Sequence, residues 1–208
     1  MNNAFEWYLS MRKHSFVYFL FLALASCLFN RSEKLIPHSK IIIQPFTGAS
    51  NTEVLNLAEM IRPLYPDVVI NPPVNLPGFA FYPARNRYKA DSLLKFLSTF
   101  AGNGDVVVGI TGKDISTSSG TIADWGVMGL GSCPGNSCVA STFRLNNSKI
   151  SSQLFKVVVH ELGHTFGLPH CPNPDCYMRD AKGGNPTDEE KDFCPSCKKY
   201  LRRHLWKV

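Results

Sequence analysis

Short β-branched runs alternate along this chain with longer stretches of helical periodicity. Lys40-Ile41-Ile42-Ile43-Gln44-Pro45 is a continuous apolar run closed by Pro, which predicts a buried strand. From Asn51-Thr52-Glu53 the apolar positions Val54, Leu57, Ala58 and Ile61 fall at helical spacing, and Pro63 stops the pattern. Val68-Val69-Ile70 predicts a second strand, followed by a Pro-rich loop to Pro83 that, with Tyr82, Arg85 and Arg87, can border a cleft. Residues 88–100 repeat the helical pattern with Leu93, Leu94, Phe96, Leu97 and Phe100, and residues 105–110 predict a third strand. Residues 125–130 and 139–145 read as strands four and five, joined by a turn over 131–138. Asn146-Asn147-Ser148 supplies capping side chains for a helix over 150–166. Strands and helices therefore alternate and then mix, which predicts an α/β (α+β) fold built on a mixed twisted sheet.

The length of 208 residues suits one domain with a small appendage. No apolar run approaches 20 residues, so a conventional spanning helix is not expected. The formal charge is +6, but apart from Lys198-Lys199-Tyr200-Leu201-Arg202-Arg203 the basic residues are dispersed. That tail reads as a solvated helix face, and nucleic acid is not an expected partner.

The N-terminus carries an address. Met11-Arg12-Lys13 precedes an apolar stretch from Phe16 to Leu24 and then Ala25-Ser26-Cys27, the layout of an export signal. Leu24-Ala25-Ser26-Cys27 also resembles the bacterial lipobox, which implies a lipoprotein-type signal over 1–26, a lipid anchor on Cys27 and a polar tether over 27–39. Ordinary cleavage after Ala25 and an uncleaved anchor are the competing readings. Residues 1–10 read as an over-extended start, since the signal fits better from Met11. The expectation is an exported, membrane-anchored bacterial lipoprotein, monomeric, with its remaining six Cys in an oxidising or mildly oxidising space.

His160-Glu161-Leu162-Gly163-His164-Thr165-Phe166-Gly167-Leu168-Pro169-His170 carries the chemistry. On a helix, positions i and i+4 share a face, so His160 and His164 can hold one ion. Gly167 permits a left-handed exit, and His170 returns as a third nitrogen ligand. Three imidazoles with an open fourth position suit a catalytic zinc, which turns a bound water into a nucleophile near neutral pH. Glu161 is placed to act on that water as general base. Five such positions recur by chance in roughly one in 10⁵ chains of this length, given ordinary residue frequencies.

Beyond His170 stand Cys171, Pro172-Asn173-Pro174-Asp175-Cys176-Tyr177-Met178 and Cys194-Pro195-Ser196-Cys197. With the histidine motif, this order resembles the archaemetzincin (archaelysin) family of the metzincin clan of zinc peptidases. The resemblance implies a zincin-like α+β catalytic domain over 40–208, with an upper subdomain 40–167 and a lower one 168–208. It makes Met178 the Met-turn residue beneath the ligands. It also implies a peptide or protein substrate lying along an edge strand, with residues 125–130 as the candidate. Cys171, Cys176, Cys194 and Cys197 then form a closed structural zinc site, giving two Zn²⁺ per chain, with two disulfides as the alternative. Cys133 and Cys138 lie outside that set and either pair as a disulfide or remain thiols. Some metzincins place a Tyr two residues after the Met; here Asp180 stands there, and Tyr177 reads as a packing residue. His14, His38 and His204 have no evident partners. The expected function is hydrolysis of peptide bonds, and the rival is a non-catalytic, zinc-stabilised peptide-binding lipoprotein.

Overall fold

A computed structural model describes residues 40–208. The signal, the tether, His14, His38 and Cys27 lie outside the described residues. The chain runs through β1 (Ile41–Pro45), α1 (Asn51–Ile61), β2 (Val68–Ile70), β3 (Phe81–Tyr82) and β4 (Arg87–Lys89). It continues through α2 (Ala90–Leu97), β5 (Val106–Thr111), β6 (Ile115–Ser119), β7 (Ile122–Val127), β8 (Gly129–Gly131) and β9 (Ser137–Ser141). Helices α3 (Ile150–Thr165) and α4 (Pro195–Arg202) complete it. No helix among the described residues is long and apolar enough to cross a membrane.

Five strands form a mixed sheet in the order β2-β1-β5-β9-β8. The first four are mutually parallel and β8 joins β9 antiparallel, at the edge. Both faces of the central strands are covered, which is why β1 and β5 carry continuous apolar runs, Ile41–Ile43 and Val106–Val108, rather than alternating ones. Ile41, Ile43, Val106 and Val108 face α1 and α3, while Ile42 and Val107 face the layer that contains α2. Ser50 caps α1, its hydroxyl accepting from the Glu53 N–H.

A second sheet, β3-β4-β6-β7, departs from the sequence expectations in three places. Residues 88–100 do not form one helix: β4 takes the first two, α2 spans only Ala90–Leu97, and a 3₁₀ turn ends the segment. Pairing with β6 and the ion pairs of Arg87 and Lys89 to Asp114 and Asp124 hold that stretch extended. The polar strand β6, Ile115-Ser-Thr-Ser-Ser, carries too little apolar alternation to be seen in sequence. Residues 125–130 are two strands rather than one. The chain leaves the second sheet after Val127, Met128 turns the corner with its carbonyl accepting from Ser141 N–H at 2.8 Å, and β8 joins the first sheet. Strand β9 also starts and ends earlier than expected, because Ser141 Oγ captures the Phe143 N–H and turns the chain at Thr142–Leu145.

Helix α3 buries Leu154, Val157, Val158 and Leu162 against the main sheet. The polypeptide beyond Gly167 holds two isolated bridges, Cys171↔Arg179 and Cys176↔Asp192, one 3₁₀ turn and α4. A small aromatic cluster of Tyr65, Phe166, Phe193 and Trp206 anchors it to the segments that follow α1 and α3. Lys199, Arg202 and Arg203 are exposed, as expected of a solvated face. His204, which has no evident partner in sequence, is buried against Phe166 and Tyr200.

Candidate metal centre and cleft

The local chain path at the end of α3 assembles the histidines. Gly167, at φ +96°, ends the helix in a paired cap: its N–H reaches His164 O at 2.8 Å, and the Leu168 N–H reaches Gly163 O at 2.9 Å. The turn places the Leu168 carbonyl 2.8 Å from His164 Nδ1. His160 Nδ1 lies 2.7 Å from the Tyr177 carbonyl, and that residue comes from beyond the turn. Both Nδ1 atoms therefore carry the proton and donate it, and both Nε2 atoms present lone pairs. Those two Nε2 atoms are 3.0 Å apart, and the His170 ring centroid lies 5.3 and 4.8 Å from those of His160 and His164. Burial pushes His160 down to about 3 and also lowers His164, so neither proton loss nor charge repulsion stands against metal binding. Facing lone pairs at this separation repel one another unless a cation lies between them. The spacing suits zinc, whose tetrahedral nitrogens at 2.0–2.1 Å are about 3.3 Å apart.

Met178 is fully buried against Gly163 of the motif helix. A Cβ on Gly163 would come within 2.3 Å of its Sδ, so the motif's glycine is the space the methionine occupies. Glu161 is buried beside the histidines, and burial pushes its carboxyl up to about 8 against the opposing Gly131 backbone N–H. The edge strand lies directly on it. A Cβ on Gly129 would stand 2.6 Å from Glu161 Oε1, and one on Gly131 2.6 Å from the Glu161 carbonyl. Tyr177 packs against Phe155 and Phe193, as expected of a packing residue, but its backbone carbonyl orients His160. Asp180 stands 3.9 Å from His170 Nδ1 and is held below the usual carboxylate range chiefly by the Lys182 N–H.

The four other cysteines converge as well. Cys171 Sγ and Cys194 Sγ are 3.7 Å apart, Cys176 Sγ and Cys197 Sγ 3.8 Å, and all four lie within 4.8 Å of one another. Sulfurs at 2.3 Å from a tetrahedral zinc are separated by about 3.8 Å, whereas a disulfide needs about 2.05 Å. The donor set fits one zinc. The Cys133–Cys138 bridge is not formed. Cys138 points into the core from β9, Cys133 is exposed with Sγ 3.7 Å from the Leu168 carbonyl, and the two remain separate thiols.

A cavity of about 760 Å³ opens over the histidines, bounded by β7 and β8 on one side and residues 179–187 on the other. Trp125 reaches across it, and its ring is what a Cβ on Gly183 would strike at 2.6 Å. Lys156, Arg144 and Glu190 line the same space. Nothing in a local pattern marks them. By contrast, the spacing Gly129-x-Gly131 inside an expected edge strand was a usable sign of close backbone approach.

Glu190 is only 4% exposed, and burial raises its carboxyl from 4.5 to about 7 despite nearby Lys156 and Arg179, with Glu189 reinforcing the rise. A group raised on folding stabilises below its unfolded value and loses that contribution as pH climbs through its folded value. Glu190→Gln should therefore melt higher than the parent at pH 8, by the equivalent of about 1–3 kcal/mol, and alike at pH 4.5. Thermal melts at both pH values check this; a pH-independent difference would contradict it.

The model of peptidase family M54 matches residues 46–203. An archaemetzincin of Haloquadratum walsbyi is 32% identical over 148 residues, covering 65% of this chain and 83% of its own. One from Methanopyrus kandleri is 36% identical over 134 residues, covering 62% and 74%. The crystal structure of archaemetzincin from Methanopyrus kandleri superposes with a TM-score of 0.69 at 29% identity, covering 86% of this chain and 99% of that one. The archaemetzincin from Archaeoglobus fulgidus, complexed with malonate, gives 0.67 at 28% identity, covering 77% and 99%. Family match, relatives and fold agree with the converging histidines: the chain belongs to peptidase family M54, the archaemetzincin zinc metallopeptidases.

Proposed function

We propose that the protein hydrolyses peptide bonds with Glu161 as the general base. The reading rests on one juxtaposition: a buried carboxyl group adjoining three converging imidazoles, directly under the edge strand β8. His160, His164 and His170 would hold one zinc, and Cys171, Cys176, Cys194 and Cys197 a second, structural one. Zinc in the histidine site would supply Lewis acidity that polarises the scissile carbonyl and acidifies water. A substrate in extended conformation adds to β8 through backbone hydrogen bonds. The positive charge that zinc would bring to the histidine site favours the ionised form of Glu161, which takes a proton from the attacking water and delivers it to the departing amine, which leaves protonated. The Tyr177 and Leu168 carbonyls keep the His160 and His164 imidazoles in place while this happens. Membership of a peptidase family does not favour a purely binding role.

The test is a diverse peptide pool incubated with the zinc-loaded protein and, in parallel, with Glu161→Gln. Cuts made by the parent alone support the reading; an uncut pool with zinc bound would refute it.

The lipobox-like Leu24–Cys27 segment supports a further part of the proposal, that the enzyme is exported and lipid-anchored through Cys27. Cys27→Ala should move the protein from the membrane to the soluble fraction. Unchanged fractionation of that variant would argue for an uncleaved anchor instead.

A further inference from the structure

Arg144 stands apart from the residues that hold metal or move protons, yet it opens onto the same cavity. Its Nε and Nη2 bond to Asp114 Oδ1 and Oδ2 at 2.8 and 3.0 Å, a two-pronged pairing that fixes the guanidinium plane. Asp114 is buried and is itself tied to Arg87 at 3.2 Å, and Arg87 and Lys89 share Asp124. Arg144, Arg87 and Lys89 thus share two carboxylates, which leaves this cluster one positive charge in excess.

The pairing also decides which edge of the guanidinium remains. Asp114 occupies the Nε/Nη2 side, so the donors on Nη1 and the second hydrogen of Nη2 form the opposite, two-pronged edge, which no other described residue engages. Gly126 leaves room for it: a Cβ there would lie 2.1 Å from Nη2 and 3.0 Å from Nη1. The side chain is 35% exposed, enough to be reached and not enough to swing freely. An arginine held rigid by one carboxylate, with its second fork presented to a cleft, is a carboxylate receptor with its ordering cost already met.

Its position sets the register. Gly126 touches the guanidinium and Gly129 touches Glu161, three residues apart on the strand segment that borders the cleft. Three residues span at most about 10 Å, and an extended substrate advances about 3.3 Å per residue. We infer that Arg144 is a specificity residue that receives a substrate carboxylate two or three residues from the cleaved bond. That carboxylate is either an Asp or Glu side chain or the free C-terminus of the peptide.

This inference rests on the peptidase reading above, and binding separates the two. Zinc-loaded Glu161→Gln protein is titrated with fluorescent peptides in three matched forms: an acidic residue at the inferred position, its amide counterpart, and the amide counterpart with a C-terminal amide. The acidic or free-C-terminal form should bind at least tenfold more tightly than the form lacking both carboxylates, and the arm that shows the gain identifies the source. Arg144→Gln in the same background should abolish the difference, and Arg144→Lys should restore part of it. Both variants must keep the parent's zinc content and far-UV spectrum. Equal binding of all three forms, or a preference that survives Arg144→Gln, would overturn the inference and leave the peptidase reading intact. Absence of binding by every peptide would overturn both.

Discussion

Glu161→Gln should lower kcat on any cleaved peptide by 10²–10⁴, the usual worth of a general base, or about 3–5 kcal/mol of barrier. Zinc content should not change. The carboxylate neighbours the histidines but is not one of the converging donors. Glutamine has the same shape, so the space between α3 and Gly129 stays filled. What it lacks is a lone pair basic enough to accept a proton from water. Steady-state kinetics on one mapped peptide, with metal measured on the same sample, provides the check. A variant within threefold of the parent would remove Glu161 from the reaction. A variant that lost its zinc would reveal a ligand or a structural prop instead of a base.

The second large effect is expected from Cys194→Ser. Few apolar side chains hold the stretch from His170 to Phe193, and the four thiols take that place. Metal bound at such a set is folding free energy for the segment that supplies it. The same segment also serves the histidine site. Cys171 follows His170 directly, and its N–H bonds the Met178 carbonyl at 2.7 Å. Cys176 precedes Tyr177, whose carbonyl holds His160, and whose N–H is itself held by Asp192 at 3.1 Å. Loss of the sulfur site should therefore loosen both centres. The expected result is a fall from two zinc ions per chain to one or fewer. It is accompanied by a melting temperature lower by roughly 10 °C or more, as several kcal/mol implies for a domain this size. Metal analysis and thermal melts read both. If the variant held two zinc ions and melted like its parent, the cysteines would have no structural metal role. If it lost one ion and kept full peptidase activity, the two centres would be independent.

Much of the centre was legible because it is local. His160, Glu161 and His164 follow from helical period alone, and Gly167 from the steric freedom a sharp exit requires. Buried strands β1 and β5 announce themselves because a strand covered on both faces carries a continuous apolar run, Ile41–Ile43 and Val106–Val108. Met178 and the four cysteines were placed by resemblance to a family, and the structure supplies the reasons: one fills the space above Gly163, the others sit at zinc-like sulfur separations.

The remainder depends on partners far away in the chain. Residues 125–130 carry the composition of a single strand, yet two sheets compete for them and the chain divides at Met128. Residues 88 and 89 fit a helix until β6 and the Asp114–Asp124 charges pull them into a strand. The Tyr177 carbonyl is a backbone atom that any residue would provide, so no side-chain pattern could mark it as the group that orients His160. Cys133 and Cys138 stand five residues apart around Pro134-Gly135, a spacing open to a bridge, but β9 directs Cys138 into the core. The amino-acid sequence by itself determined which side chains can bind metal and move protons, because those capacities belong to residue types and to the period of one helix. Only the tertiary structure decided what holds, covers and borders them, since a carbonyl acceptor, a glycine that admits another strand or an arginine braced by a distant aspartate acquires its role from where the rest of the chain comes to lie.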